Sequence, residues 1–217
     1  MNSSPYATRI VLVRHGQSIA NAGGATADDR TMPLTELGHQ QARSFAEDFP
    51  HAPARVVLSP YLRASQTAEP LLARFPAVAV EEWPIQEFHY LDLDGRALTD
   101  VERQPYVLSY WQRCDPAYVH GPSAESFSAF LLRARDTIQR LTTESASGCH
   151  VLFTHGFWMQ AFRLLLLFPH ATDLDLMLNF RRFHFVNLIR NLESLEFEVA
   201  CGQIRLLGQH LNAFTLP

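Results

Sequence analysis

The chain has 217 residues, and its 18 Lys and Arg against 22 Asp and Glu leave a formal net charge of −4. A hydrophobic content of 47% with 18% charged residues fits a folded globular chain and excludes a disordered one. The slightly acidic balance gives no electrostatic reason to expect nucleic acid or an anionic membrane as partner, so an anionic substrate must be met by a local cluster of cations.

In chain order, Ile10–Val13 is a short apolar, β-branched run that reads as a buried strand. A polar stretch with two glycines follows over 17–29 and reads as a loop. Thr35 opens a helix that runs to about Phe49. Ala54–Leu58 is a second buried strand. Ser59 is placed to cap the next helix, with Pro60 in its first turn, and that helix extends to about Arg74. A strand is expected over Ala77–Val80. Residues 82–125 show scattered aromatics and no sustained period, and read as an irregular, lid-like insertion with short helices. Ser126–Leu141 is an amphipathic helix, Val151–Thr154 a further buried strand, and Gly156–Phe168 a helix. The alternating runs at 183–191 and 195–208 are consistent with two or three strands. Strands alternating with helices predict an α/β fold, a three-layer α/β/α sandwich with a mostly parallel central sheet, in a single domain over 1–217.

Three cysteines, Cys114, Cys149 and Cys201, are odd in number and form no C-x-x-C pair. A disulfide framework or structural zinc is therefore not expected, and a reducing compartment is the simpler reading. The first sixteen residues carry no signal-peptide pattern, and the apolar run Phe162–Phe168 is far too short to span a membrane. A cytoplasmic protein is expected.

Four segments can carry chemistry. Arg14, His15 and Gly16 follow the first strand directly, so an arginine and a histidine stand at a strand end, with a glycine that lets the backbone approach a ligand closely or take a positive φ. Ser59, Arg63 and Thr67 are spaced by four and fall on one helix face, where an arginine fork suits phosphate oxygens. Thr154, His155 and Gly156 repeat the strand–His–Gly order. Because ligands in open α/β sheets bind beyond the carboxyl ends of the strands, His15 and His155 can meet there. Glu87 lies among apolar and aromatic neighbours, where a carboxyl can be held protonated near neutrality.

These motifs, in this order, resemble branch 1 of the histidine phosphatase superfamily, the phosphoglycerate mutase-like proteins. The resemblance rests on L-V-R-H-G-Q-S at 12–18, S-P-Y-L-R-A-S-Q-T-A at 59–68, Glu87, A-E-S-F at 124–127 and T-H-G at 154–156, with G-Q-H-L-N at 208–212 similar to the family's closing segment. It implies a phosphatase that hydrolyses a phosphate monoester through a phosphohistidine on His15. It implies Arg14, Arg63 and His155 around the phosphoryl oxygens, Glu87 as proton donor, and Asn21 and Gln17 beside the substrate. No metal or cofactor is implied.

Cofactor-dependent mutases of the family carry Asn after the second H-G and an arginine pair in a longer insertion. This chain has Phe157 and Glu102-Arg103 there, which favours hydrolysis. A mutase-type phosphotransferase and a non-catalytic phosphate-binding regulator remain alternatives. The partner implied is a phosphorylated small molecule or a phosphoprotein, without nucleic acid or membrane. The insertion aromatics, among them Tyr90 and Trp111, either pack it down or line the pocket mouth for an apolar or aromatic leaving group.

Overall fold

The computed structural model describes residues 8–144 and 147–207. The G-Q-H-L-N segment at 208–212 lies outside them. Six strands form one sheet: β1 (Thr8–Arg14), β2 (Arg55–Leu58), β3 (Ala79–Glu82), β4 (Gly148–Thr154), β5 (Ser194–Ala200) and β6 (Gln203–Leu207). Their spatial order is β3-β2-β4-β1-β5-β6. The first four are mutually parallel, and β5 and β6 add an antiparallel hairpin beside β1. The central strands are buried on both faces, which is why β1 and β4 read as continuous apolar runs.

Helices cover both faces. On one, Val11, Val13, Val56, Val151 and Phe153 pack against Ala46 of α1 (Glu36–Asp48) and Ala64, Ala68 and Leu71 of α2 (Leu62–Arg74). Small alanines let these helices sit close to the sheet. On the other face, Ile10, Leu12, Val57 and Leu152 join an aromatic core. That core draws on α4 (Phe127–Thr143), α5 (Gly156–Leu167) and α6 (Asp173–Val186). The expected three-layer sandwich is thus present. Among the described residues no helix is long and apolar enough to cross a membrane.

The insertion is more ordered than its pattern suggests. It carries a 13-residue helix, α3 (Asp100–Gln112), whose start is fixed by a reciprocal capping box between Thr99 and Glu102. Tyr110 and Trp111 bury that helix into the main core, with Trp111 stacked on Phe180 at 5.8 Å. Phe88, from the first part of the insertion, stacks on Phe130 of α4 at 4.4 Å.

Three expectations need correction. The run at 183–191 is no strand: its first half is the last turn of α6, which begins at a Thr172–Asp175 capping box. Leu176, Phe180 and Phe183 are buried at helical spacing, so the apparent alternation of Phe183 and Phe185 was a short sample of a 3.6 period. Ser59 does not cap α2. The helix starts at Leu62 after an extended Tyr61, and the Ser59 hydroxyl is engaged elsewhere. The edge strand β3 lies two residues later than Ala77–Val80.

Phe130 ties α4 to the segment carrying Phe88 and has no exposed surface. Phe130→Ala is expected to cost about 3–5 kcal/mol of unfolding free energy, read by urea denaturation. A loss below about 1 kcal/mol would show that this contact does not anchor the insertion.

Candidate active site

The register of the sheet builds the site. β1 and β4 are parallel neighbours that end together, Arg14 opposite Thr154, so the residues that follow them stand side by side. The His15 amide donates to the Thr154 carbonyl at 3.0 Å, and the His15 and His155 rings lie 5.1 Å apart. β2 flanks β4 and delivers Ser59 to the same edge, where Ser59 Oγ and His155 Nε2 share a hydrogen bond of 2.7 Å.

His15 Nδ1 lies 2.7 Å from the Gly16 carbonyl oxygen. A carbonyl only accepts, so Nδ1 carries the hydrogen and Nε2 keeps its lone pair. Arg63 Nε donates to that Nε2 at 3.1 Å. Burial, reinforced by Arg63 and Arg14, pushes His15 well below the usual histidine range, so the ring is neutral. Gly16 is required for a reason other than the expected one. Its φ is ordinary, but a Cβ there would lie 2.7 Å from the Gly38 carbonyl of α1, where the chain presses against the helix. Thr67 Oγ1 completes the turn by accepting from the Gly16 amide at 3.0 Å and donating to the Arg63 carbonyl at 2.6 Å.

Two arginines flank His15. Arg63 is 4% exposed, and its Nη1 donates to the Asp29 carbonyl. Arg14 Nη1 donates to the Ile189 carbonyl. Carbonyl oxygens position a guanidinium without neutralising it as a paired carboxylate does. Both cations and His15 line a pocket of about 190 Å³ with Asn21, Glu87 and Phe157.

Glu87 reaches the pocket at the start of α5, where its carboxylate oxygens accept from the Phe157 and Trp158 amides, each at 3.2 Å. Burial raises its pKa, and Arg63 and the amide donors only partly oppose this. Arg133 of α4 holds the chain around it. Its guanidinium donates to the carbonyls of Pro84, Gln86 and Glu87 at 3.0, 2.7 and 3.2 Å, and to both oxygens of Glu125 at 3.0 and 2.7 Å. Glu125 belongs to the A-E-S-F motif, which thereby acquires a structural task.

The structure brings together Arg14, His15, Arg63, Glu87 and Asn21. His155 stands behind His15, with no exposed surface, and burial beside Arg63 keeps it neutral rather than cationic. Gln17 does not line the pocket; its side chain accepts from Thr35 Oγ1 at 2.8 Å at the start of α1. Sequence reasoning missed Asn191, which donates to the His15 carbonyl at 2.9 Å, and Asp29, whose carboxylate meets His89 at 3.2 Å and Arg103 at 3.8 Å. Neither residue sits in a recognisable motif.

The chain belongs to the histidine phosphatase superfamily (branch 1), whose family model matches residues 10–189. It is similar to an adenosylcobalamin/alpha-ribazole phosphatase of Salmonella typhi, 33% identical over 173 residues that cover 76% of this chain and 82% of that protein. It is also similar to a 2,3-bisphosphoglycerate-dependent phosphoglycerate mutase 2 of Gloeobacter violaceus, 32% identical over 70% of this chain and 72% of that one. Among solved structures, a mycobacterial glucosyl-3-phosphoglycerate phosphatase in complex with VO3 is 25% identical. That match has a TM-score of 0.69 and covers 91% of this chain and 96% of that one. The family and its phosphatase relatives make this chain a hydrolase of the phosphatase class.

The Arg133 and Glu125 side chains are 11% and 22% exposed. Breaking such a nearly buried pair by Arg133→Ala is expected to cost about 2–4 kcal/mol, measured by urea denaturation. A loss under about 0.5 kcal/mol, the scale of an exposed pair, would contradict the clamp.

Proposed function

We propose that the chain hydrolyses a phosphate monoester in two steps, through a phosphohistidine on His15 Nε2, without a metal. The observation that carries this is the state of His15: a neutral ring with its hydrogen held on Nδ1 by Gly16, and an unprotonated Nε2 whose lone pair accepts from Arg63 at the pocket.

In the first step the Nε2 lone pair forms a bond to phosphorus and the bond to the leaving oxygen breaks. Glu87 gives its proton to that oxygen. Arg14 and Arg63 hold the phosphoryl oxygens and stabilise their charge, which is most of what phosphoryl transfer needs from a protein. Nδ1 keeps its hydrogen and donates it to the Gly16 carbonyl throughout, so the phosphorylated ring is held by the same contact as the free one. In the second step water attacks phosphorus, its proton goes to the Glu87 carboxylate, and the phosphorus–nitrogen bond breaks. Covalent catalysis thus divides one hard displacement into two easier ones.

The similarity to a phosphoglycerate mutase keeps phosphoryl return to a second substrate as an alternative. Phe157 supports hydrolysis, because it puts an apolar ring at the pocket wall where the mutases of the family carry an amide side chain. The substrate class supported is a phosphorylated small molecule, as the names of the phosphatase relatives describe.

The test is hydrolysis of an aryl phosphate by wild type and His15→Ala, with and without EDTA. Activity that survives EDTA and falls at least about 10³-fold in His15→Ala supports the reading. Activity lost to EDTA and restored by a divalent cation contradicts it.

The pH profile follows from the two burial shifts. Falling pH charges His15, and because its pKa lies well below 6.5 the acid limb lies in that lower range. Rising pH ionises Glu87, whose raised pKa moves the alkaline limb above that of an ordinary glutamate. Glu87→Gln cannot ionise. It is expected to lower kcat on an alkyl phosphate by about 10²–10⁴-fold and to abolish the alkaline limb. An unchanged alkaline limb in that variant would remove Glu87 from the donor role.

A further inference from the structure

A second, larger compartment opens beside the phosphate pocket, with a volume of about 360 Å³ against about 190 Å³. The two share Asp29, Phe88, Tyr90, Asp100, Arg103 and Phe157 along their boundary. A leaving group whose phosphate sits on His15 therefore has this compartment as its adjoining space, and the size suits a ring system rather than a short alcohol.

The walls define its chemistry. Trp111 and Phe185 extend the aromatic surface that Phe88, Tyr90 and Phe157 begin. Tyr90 and Phe157 are nearly parallel, with 22° between their planes. Burial pushes the Tyr90 phenol up to about 12 and His184 down to about 4, so both stay uncharged.

The charged groups divide unevenly. Arg103 is engaged: its Nη2 donates to Thr26 Oγ1 at 2.7 Å, and its Nη1 lies 3.8 Å from Asp29, which also meets His89. Asp100 stands at the boundary, exposed, in the first turn of α3. Arg181 of α6 lines the second compartment alone, away from the phosphate. It is half-buried, its guanidinium lies over the Phe185 ring at 5.5 Å, and among the described residues it has no carboxylate partner.

We propose that this compartment is a leaving-group site for a flat aromatic group bearing an anionic substituent, with the ring against Tyr90 and Phe157 and the anion on Arg181. The inference rests on the phosphatase reading above and deepens it. Phe157 gains a specificity role, since the residue that departs from the mutase pattern is one of the walls common to both compartments. A guanidinium on an apolar surface binds an anion more strongly than one in bulk water, because it is less well hydrated there.

The test uses four phosphate esters whose methylene-linked leaving groups have similar intrinsic reactivity: ethyl, benzyl, para-carboxybenzyl and para-(aminomethyl)benzyl phosphate. Wild type is expected to prefer benzyl over ethyl, and para-carboxybenzyl over para-(aminomethyl)benzyl by at least about ten-fold in kcat/KM. Arg181→Met should collapse the second ratio to near one. Arg181→Glu should invert it, a result that misfolding cannot imitate. Equal turnover of all four esters, dependent on His15, would overturn this inference and leave the phosphatase reading standing. An unchanged carboxylate preference in Arg181→Met and Arg181→Glu would overturn the Arg181 assignment in the same way. Failure of a folded wild type to hydrolyse any of the four would overturn both.

Discussion

The hydrogen bond between His15 Nδ1 and the Gly16 carbonyl is the contact on which the rest of the site depends. It chooses the tautomer and leaves Nε2 without a hydrogen, its lone pair turned to Arg63. It holds because the backbone at Gly16 is itself fixed, by Thr67 on one side and by the close approach of Gly38 on the other. That packing follows from the parallel pairing of β1 with β4 and from the short side chains that let α1 and α2 lie close to the sheet. A substituent at Gly16 would displace the turn and the ring with it.

Burial does two jobs at once. Desolvation disfavours the charged form of any group, so it lowers the pKa of a buried histidine and raises that of a buried carboxyl. The proposed reaction needs an unprotonated His15 and a proton on Glu87 in one pocket, and burial pushes each group in that direction. The cost falls on Arg14 and Arg63, which stay charged in the same surroundings. Backbone carbonyls of Ile189 and Asp29 hold them in place without a carboxylate pressed against the guanidinium. Their charge is left for an anion, which explains how an acidic chain builds an anion site.

Much of this was legible in the sequence because it is local. The apolar runs ending in R-H-G and T-H-G predicted two strands and the meeting of their histidines, and the four-residue spacing of Arg63 and Thr67 predicted one shared helix face, which the fold buries. Glu87 could be singled out by its apolar neighbours and the family resemblance, but what holds it could not. Arg133 lies 46 residues away, and its partner Glu125 appeared in a motif with no visible task. Ser59 was read as a helix cap from local chemistry, and a tertiary contact to His155, 96 residues on, outcompeted that role. His184 fell in the run at 183–191 whose alternation imitated a strand, and Arg181 lies two residues before it in no motif, so their side of the pocket was invisible until α6 was seen as a helix. Long-range contacts leave little trace in a local pattern.

The central claim is that phosphorus passes through Nε2 of His15. Its most direct test is to mix the enzyme with an aryl phosphate, quench in alkali, where phosphohistidine survives, and locate the phosphoryl group by mass spectrometry and phosphorus NMR. The account predicts a single phosphorylated residue, His15, substituted at Nε2, with a larger trapped fraction in Glu87→Gln because that variant lacks the base for the second step. A phosphoryl group on any other side chain, or substitution at the Gly16-bound Nδ1, would contradict it.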